Sequence, residues 1–213
     1  MRVPRYRLRP RLAAAAHDYA AAGWPVAPGA WWDPSDERYR CAQPDCVTHG
    51  LHPTGPDPAG SIARRCQVTV TQACTRDLDA VADRWSHHPF SVLLPTGDSA
   101  DAVEFRPATA RRVQAVLAAY EQLGPTATFA DGRVLLLVAV AGPLDAGADA
   151  ELSRAGALHH SGGSWVPLPP SRLAAGPISW TRSPHATHWR LPTLRSVVGA
   201  LRRSSLAPPA DAI

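Results

Sequence analysis

The sequence predicts an α+β domain. Three observations carry this. Helical and extended segments do not alternate regularly, as a doubly wound sheet would require. The periodic segments are short and are separated by clusters of the chain's 22 prolines. Asp131-Gly132 lies between two apolar, β-prone runs, and Asp-Gly suits a tight hairpin turn. The length of 213 residues fits one domain, or one domain with a small insertion.

Read in order, residues 1–11 form a basic, proline-containing tail expected to be disordered, and the domain proper spans 12–203. Leu12 to Ala22 is alanine-rich and forms a helix that Gly23 stops. Trp24 to Pro28 is extended, and a Cys/His-bearing loop occupies 40–66. Val68 to Val70 reads as a short strand. Thr75 is placed to cap a helix whose first turn holds Asp77 and Asp79. Leu78, Val81, Ala82 and Trp85 recur there at helical spacing until Pro89.

Phe90 to Leu94 reads as a buried strand, Pro95 to Asp98 as a turn, and Ala102 to Phe105 as another strand. Thr109 to Leu123 is a helix with Val113, Val116, Leu117 and Tyr120 inward. Thr126 to Phe129 and Val134 to Val140 make the hairpin. Asp149 to Ala155 is a short helix, and Ile178 to Trp180 a further strand. Thr193 caps a last helix with Leu194, Val197, Val198 and Leu201 on one face, and 204–213 reads as a disordered tail. No continuous apolar run reaches the roughly 18 residues of a membrane span, so no membrane partner is expected. The first apolar stretch is too short for an export signal, so a cytoplasmic chain with reduced cysteines is expected.

The net charge of +4 hides a division. Residues 1–11 hold 5 Arg and no acid, residues 12–151 hold 10 Arg against 17 acids, and residues 152–213 hold 7 Arg and Asp211 alone. Basic ends of this kind suit a polyanion such as DNA, and solvated ordinary faces are the plainer reading. The chain has no lysine, which excludes Schiff-base chemistry and a phosphate-loop lysine. Phosphate contacts then fall to arginine, backbone N–H groups or a metal ion.

Cys41, Cys46, His49 and His52 place four soft or borderline ligands within twelve residues. Zinc favours such tetrahedral N/S sets, so a structural zinc is expected, with Cys66 and Cys74 as substitutes for either histidine. A metal-free loop is the alternative. Of the seven tryptophans, Trp24, Trp85 and Trp165 have apolar neighbours and read as packing. Trp31 and Trp32 sit in a polar loop and are the better candidates to stack on bases.

Four segments in shared order resemble the N-terminal domain of bifunctional DNA primase/polymerases, of the archaeo-eukaryotic primase-polymerase superfamily. They are Ala20 to Pro28 (AAAGWPVAP); Ala73 to Asp77 with His88 to Gly97 (HPFSVLLPTG); Asp101 to Phe105 (DAVEF); and Gly162 to Ser171 (GGSWVPLPPS) followed by Gly176 and Trp180. The resemblance implies a two-lobed α+β fold with helices packed on a mixed or antiparallel sheet. It also implies nucleotidyl transfer with Mg²⁺ or Mn²⁺ held by two acids at i and i+2 on one strand and a third acid on a later strand. A histidine in the family contacts the nucleotide phosphates.

This chain departs from that pattern. Asp101 and Glu104 are three apart and face opposite sides of a regular strand unless a bulge intervenes. Asp98 and Asp101, flanking a turn, are the other possible pair. Where the family histidine is expected, Gly132-Arg133-Val134 leads into a wholly apolar run, leaving Arg133 as the phosphate candidate. Leu158-His159-His160-Ser161 stands where the third acid belongs, and His159 or His160 there is a possible ligand or nucleotide contact in a loop. Arg111 and Arg112, at a helix start, are candidates for nucleic-acid contact. The expectation is a divergent primase/polymerase-like protein, catalytically degenerate, that binds nucleic acid or nucleotides as an accessory or regulatory module beside a replication or regulatory protein. The alternatives are an active nucleotidyltransferase using Asp98, Asp101 or Glu104, and a protein-interaction adaptor.

Overall fold

The computed structural model describes residues 5–43, 46–55, 68–142 and 144–206. In chain order the elements begin with α1 (Arg5–Ala21), β1 (Ala27–Gly29), β2 (Trp31–Asp33) and β3 (Arg38–Arg40). Next come α2 (Val70–Ala73), α3 (Leu78–His87), β4 (Ser91–Pro95), β5 (Asp101–Phe105) and α4 (Pro107–Ala119). Then follow β6 (Thr126–Thr128), β7 (Val134–Val138), α5 (Ala146–Arg154), β8 (Leu158–His160) and β9 (Trp165–Leu168). The series closes with β10 (Arg172–Leu173), β11 (Gly176–Pro177), β12 (Ser179–Arg182) and α6 (Leu194–Leu206). Helices on antiparallel sheets make this an α+β fold. No described helix is long and apolar enough to cross a membrane.

The chain forms two compact units, each made of two stretches of sequence. The first holds residues 1–99 and 162–179, the second 100–161 and 180–213. In the first, β1 and β9 flank β4 in an antiparallel sheet. All five residues of β4 are buried. Pro28 and Pro167 fall on the two outer strands, where a residue without an N–H leaves no central ladder bond unmade. α1 packs on α3, and Leu12, Ala16 and Tyr19 of the one and Val81 and Trp85 of the other are buried. Burial of such side chains contributes roughly 1.5–3 kcal/mol each. Two polar tips are satisfied inside: Tyr19 Oη donates to the Pro169 carbonyl at 2.6 Å, and Trp85 Nε1 to the Phe90 carbonyl at 2.9 Å. Gly97, at φ +92°, passes so close to Gly162 that a β-carbon would lie 2.4 Å from its Cα.

The second unit is built on a five-stranded sheet in the order β12-β6-β7-β5-β8. Val103 and Phe105 of β5, with Val134, Leu136 and Val138 of β7, share one core with Ala110, Val113 and Leu117 of α4 and Val197, Val198 and Leu201 of α6. This is the period-two face of the sheet meeting the 3.6-period stripe of each helix. Pro107 opens α4 at a position where its missing N–H costs nothing. Asp145 caps α5 by accepting from Ala148 N at 2.7 Å.

Several local expectations shift. α1 takes in residues 5–11, and α6 runs past Ser204, which is 8 % exposed and donates its hydroxyl to Leu201 O. Val70 begins a short helix rather than ending a strand, because Thr69 and Gln72 form a capping box. Asp77, not Thr75, caps α3, accepting from Ala80 N at 2.7 Å, while Thr75 Oγ1 accepts from Asp77 N. Tyr120 lies just past the end of α4 and is 57 % exposed.

Candidate functional site

β5 pairs residue for residue with β7 from Asp101↔Val138 to Phe105↔Val134, so the strand carries no bulge. Alternation then puts Asp101 on the helix-packed face with Val103 and Phe105, and Glu104 on the other face with Ala102. On its other edge β5 pairs with β8, matching Ala102↔His160, Val103↔His159 and Glu104↔Leu158. His159 therefore shares the face of Asp101, and His160 that of Glu104. The two histidines form part of a short edge strand, not the expected loop.

Asp101 is fully buried. Its Oδ2 accepts from Ala141 N at 2.9 Å and lies 3.4 Å from His159 Nε2. Asp101 Oδ1 and His159 Nε2 have no hydrogen-bond partner among the described residues. Glu104 is flanked by two basic side chains: Arg133 Nη1 donates to Oε1 at 2.8 Å, and His160 Nε2 stands 3.6 Å from Oε2. The second contact is too long for a hydrogen bond. The His160 imidazole first, then the Arg133 guanidinium, outweigh burial and hold the Glu104 carboxyl below its usual range.

Arg133 also donates through Nε to Asp131 Oδ2 at 2.8 Å, and its guanidinium lies 4.6 Å above the Phe129 ring. Partial burial disfavours its charge, but Glu104 and Asp131 more than compensate and make it more basic than usual. Asp131 is a member that sequence reasoning took only as a turn residue; the Asp-Gly-Arg spacing, with the acid two residues before the cation, was its signal. Asp98 is paired elsewhere, with Arg76 Nη2 at 2.8 Å. Arg111 and Arg112 are exposed on α4, away from this cluster of β-strand residues.

The Cys/His loop follows the β2–β3 hairpin, which Arg40 closes by pairing with buried Asp33 at 2.9 Å. The ligand atoms of Cys41, Cys46 and His52 all lie within 4.8 Å of one another and could hold a metal ion. His52 Nδ1 lies 2.7 Å from the Gly50 carbonyl, which fixes the proton there and leaves Nε2 facing Cys46 Sγ at 3.7 Å. Ala30 N donates to His52 O, and Gly29 bridges to Pro53, anchoring that ligand to the end of β1. His49 is not one of the three, and Cys66 lies outside the described residues. Cys74 is apart, its Sγ donating to Thr71 O and its thiol pushed up by burial and then by Asp98. Trp31 stacks on His88 at 5.3 Å and meets Phe90 edge-on, so its ring is engaged in packing; Trp32 meets Tyr39 edge-on at 5.2 Å.

A family model described as bifunctional DNA primase/polymerase, N-terminal, matches residues 16–196. The chain belongs to this family. The match runs from within α1 to within α6, so β5, β8 and the Cys/His loop all fall inside it. No curated protein and no solved structure matches the chain.

Proposed function

We propose that this primase-polymerase domain does not join nucleotides and instead binds nucleic acid or nucleotides in an accessory or regulatory role. The observation that supports this is the isolation of Glu104. Mg²⁺ and Mn²⁺ require several oxygen ligands, and a two-metal site holds its ions roughly 3.5–4 Å apart. On the Glu104 face, the position two residues back is Ala102, and the residues opposite it are Leu135 and Leu158. Arg133 already pairs with Oε1 and His160 flanks Oε2, so a tethered guanidinium stands where an ion would have to bind. Asp101 points to the opposite face and is enclosed. The test is primer extension with template, labelled nucleotides and Mn²⁺, run beside binding of a labelled oligonucleotide. The expected result is binding without extension. Template-dependent product that disappears in Glu104→Gln would overturn the proposal.

The loop fits a structural zinc. Two thiols and an imidazole with its distal nitrogen free are the donor chemistry zinc prefers. Bound there, the ion would tie the β2–β3 hairpin to the segment bridged to β1 and would supply folding energy.

A further inference from the structure

The helical layer of the second unit carries a charge pattern that the sheet site does not use. α4 and α6 pack side by side, and neither contains an acidic residue. Their apolar stripes are consumed by the core, which turns Arg111 and Arg112 of α4 and Arg195, Arg202 and Arg203 of α6 to solvent. Among the described residues, Arg111, Arg112 and Arg195 belong to no ion pair. Arg202 is only loosely tied, its Nε 3.8 Å from Glu151. Glu151 and exposed Glu121 are acids at the rim of this layer.

An exposed aromatic completes the surface. Tyr120 is 57 % exposed at the end of α4, and the Arg203 guanidinium of α6 lies 4.6 Å above its ring. Each helix has 13 residues and so runs about 20 Å. Arginines spread over that span, with a ring among them, suit a polymer of phosphates and bases, since guanidinium groups take phosphate oxygens and aromatic faces take bases.

We infer that the α4–α6 layer is a single-stranded nucleic-acid surface, on the side of the second unit's sheet opposite Glu104. This rests on the nucleic-acid reading above and assigns it a location. The test is fluorescence anisotropy of a labelled oligothymidylate with the full chain across a salt series. Replacing Arg111, Arg112 and Arg195 together by Gln is expected to weaken binding at least tenfold at low salt. The slope of log K against log salt should become shallower by about 2, at roughly 0.7 for each phosphate no longer neutralised. Tyr120→Ala should cost about tenfold and Tyr120→Phe little, because stacking needs the ring. All the replaced side chains are exposed, and unchanged melting temperatures check the fold. A triple variant with unaltered affinity and slope, in a chain that does bind, overturns this location alone. Loss on Arg133→Gln instead would move the interface to the sheet face and also overturn it. Equal competition by polyglutamate would make the surface an acidic-protein site, against the inference. A full chain that binds no oligonucleotide overturns the nucleic-acid reading itself.

Discussion

Glu104 and His160 lie on adjacent antiparallel strands, with the imidazole Nε2 3.6 Å from the carboxylate. Together with Arg133 on the other side, this pair depresses the Glu104 carboxyl, His160 contributing most. A depressed acid stabilises the fold above its unfolded value, roughly 4.3, and that contribution is lost as pH falls through the lower folded value. Glu104→Gln should therefore cost about 1 kcal/mol at neutral pH, and the difference from the parent should fade below about pH 4. Urea denaturation across the acid range measures both quantities.

Arg133 is shared between Glu104 and Asp131 at 2.8 Å each. Arg133→Gln should move the Glu104 titration upward, as seen by carboxyl-carbon NMR. Stability should fall by only about 1 kcal/mol, because the guanidinium is partly solvated. An unmoved Glu104 titration would mean that His160 alone sets it.

The Cys41, Cys46 and His52 cluster is expected to carry about one zinc per chain by elemental analysis. Cys41→Ser and His52→Ala should each lose it and lower the melting temperature, and chelation should reproduce the loss in the parent. A metal-free parent with freely titrating Cys41 and Cys46 would contradict the site.

Gly97 combines a positive φ with a backbone neighbour inside contact distance. Gly97→Ala should therefore destabilise by more than about 1 kcal/mol, as both the left-handed backbone and the clash count against it. Gly142→Ala, which meets nothing within 4 Å, is the control and should change stability by less than about 0.5 kcal/mol.

Tyr19→Phe removes the donor to the buried Pro169 carbonyl while keeping the ring. The stranded acceptor should cost about 1–2 kcal/mol in thermal or urea unfolding, more than an exposed hydroxyl deletion would.

Long periodic elements were legible in the sequence. The stripe of Val81 and Trp85 in α3, the stripe of Leu194, Val197, Val198 and Leu201 in α6, and the Asp131-Gly132 hairpin all follow from local pattern. So did the separation of Asp101 from Glu104, since alternation along a strand needs no tertiary information. The strand His159-His160 was not legible. Three residues are too few to display a period, and its identity comes from pairing with β5, more than fifty residues earlier. The capping box at Thr69 and Gln72 was visible in principle, but a four-residue helix lacks the apolar repeat that draws attention to a cap. The choice of Asp77 over Thr75 as cap turned on backbone geometry that both side chains could serve.

The chain passes three times between its units, and this constrains how the protein can be made. β4 gains its β9 neighbour only when Val92 meets Leu168, by which point most of the second unit has already been synthesised. A ribosome that has released residue 120 has therefore delivered both the β1-β4-β9 sheet and the five-stranded sheet unfinished. Neither unit can be cut out as a continuous fragment, so gene fission or truncation anywhere between β4 and β9 would forfeit both at once.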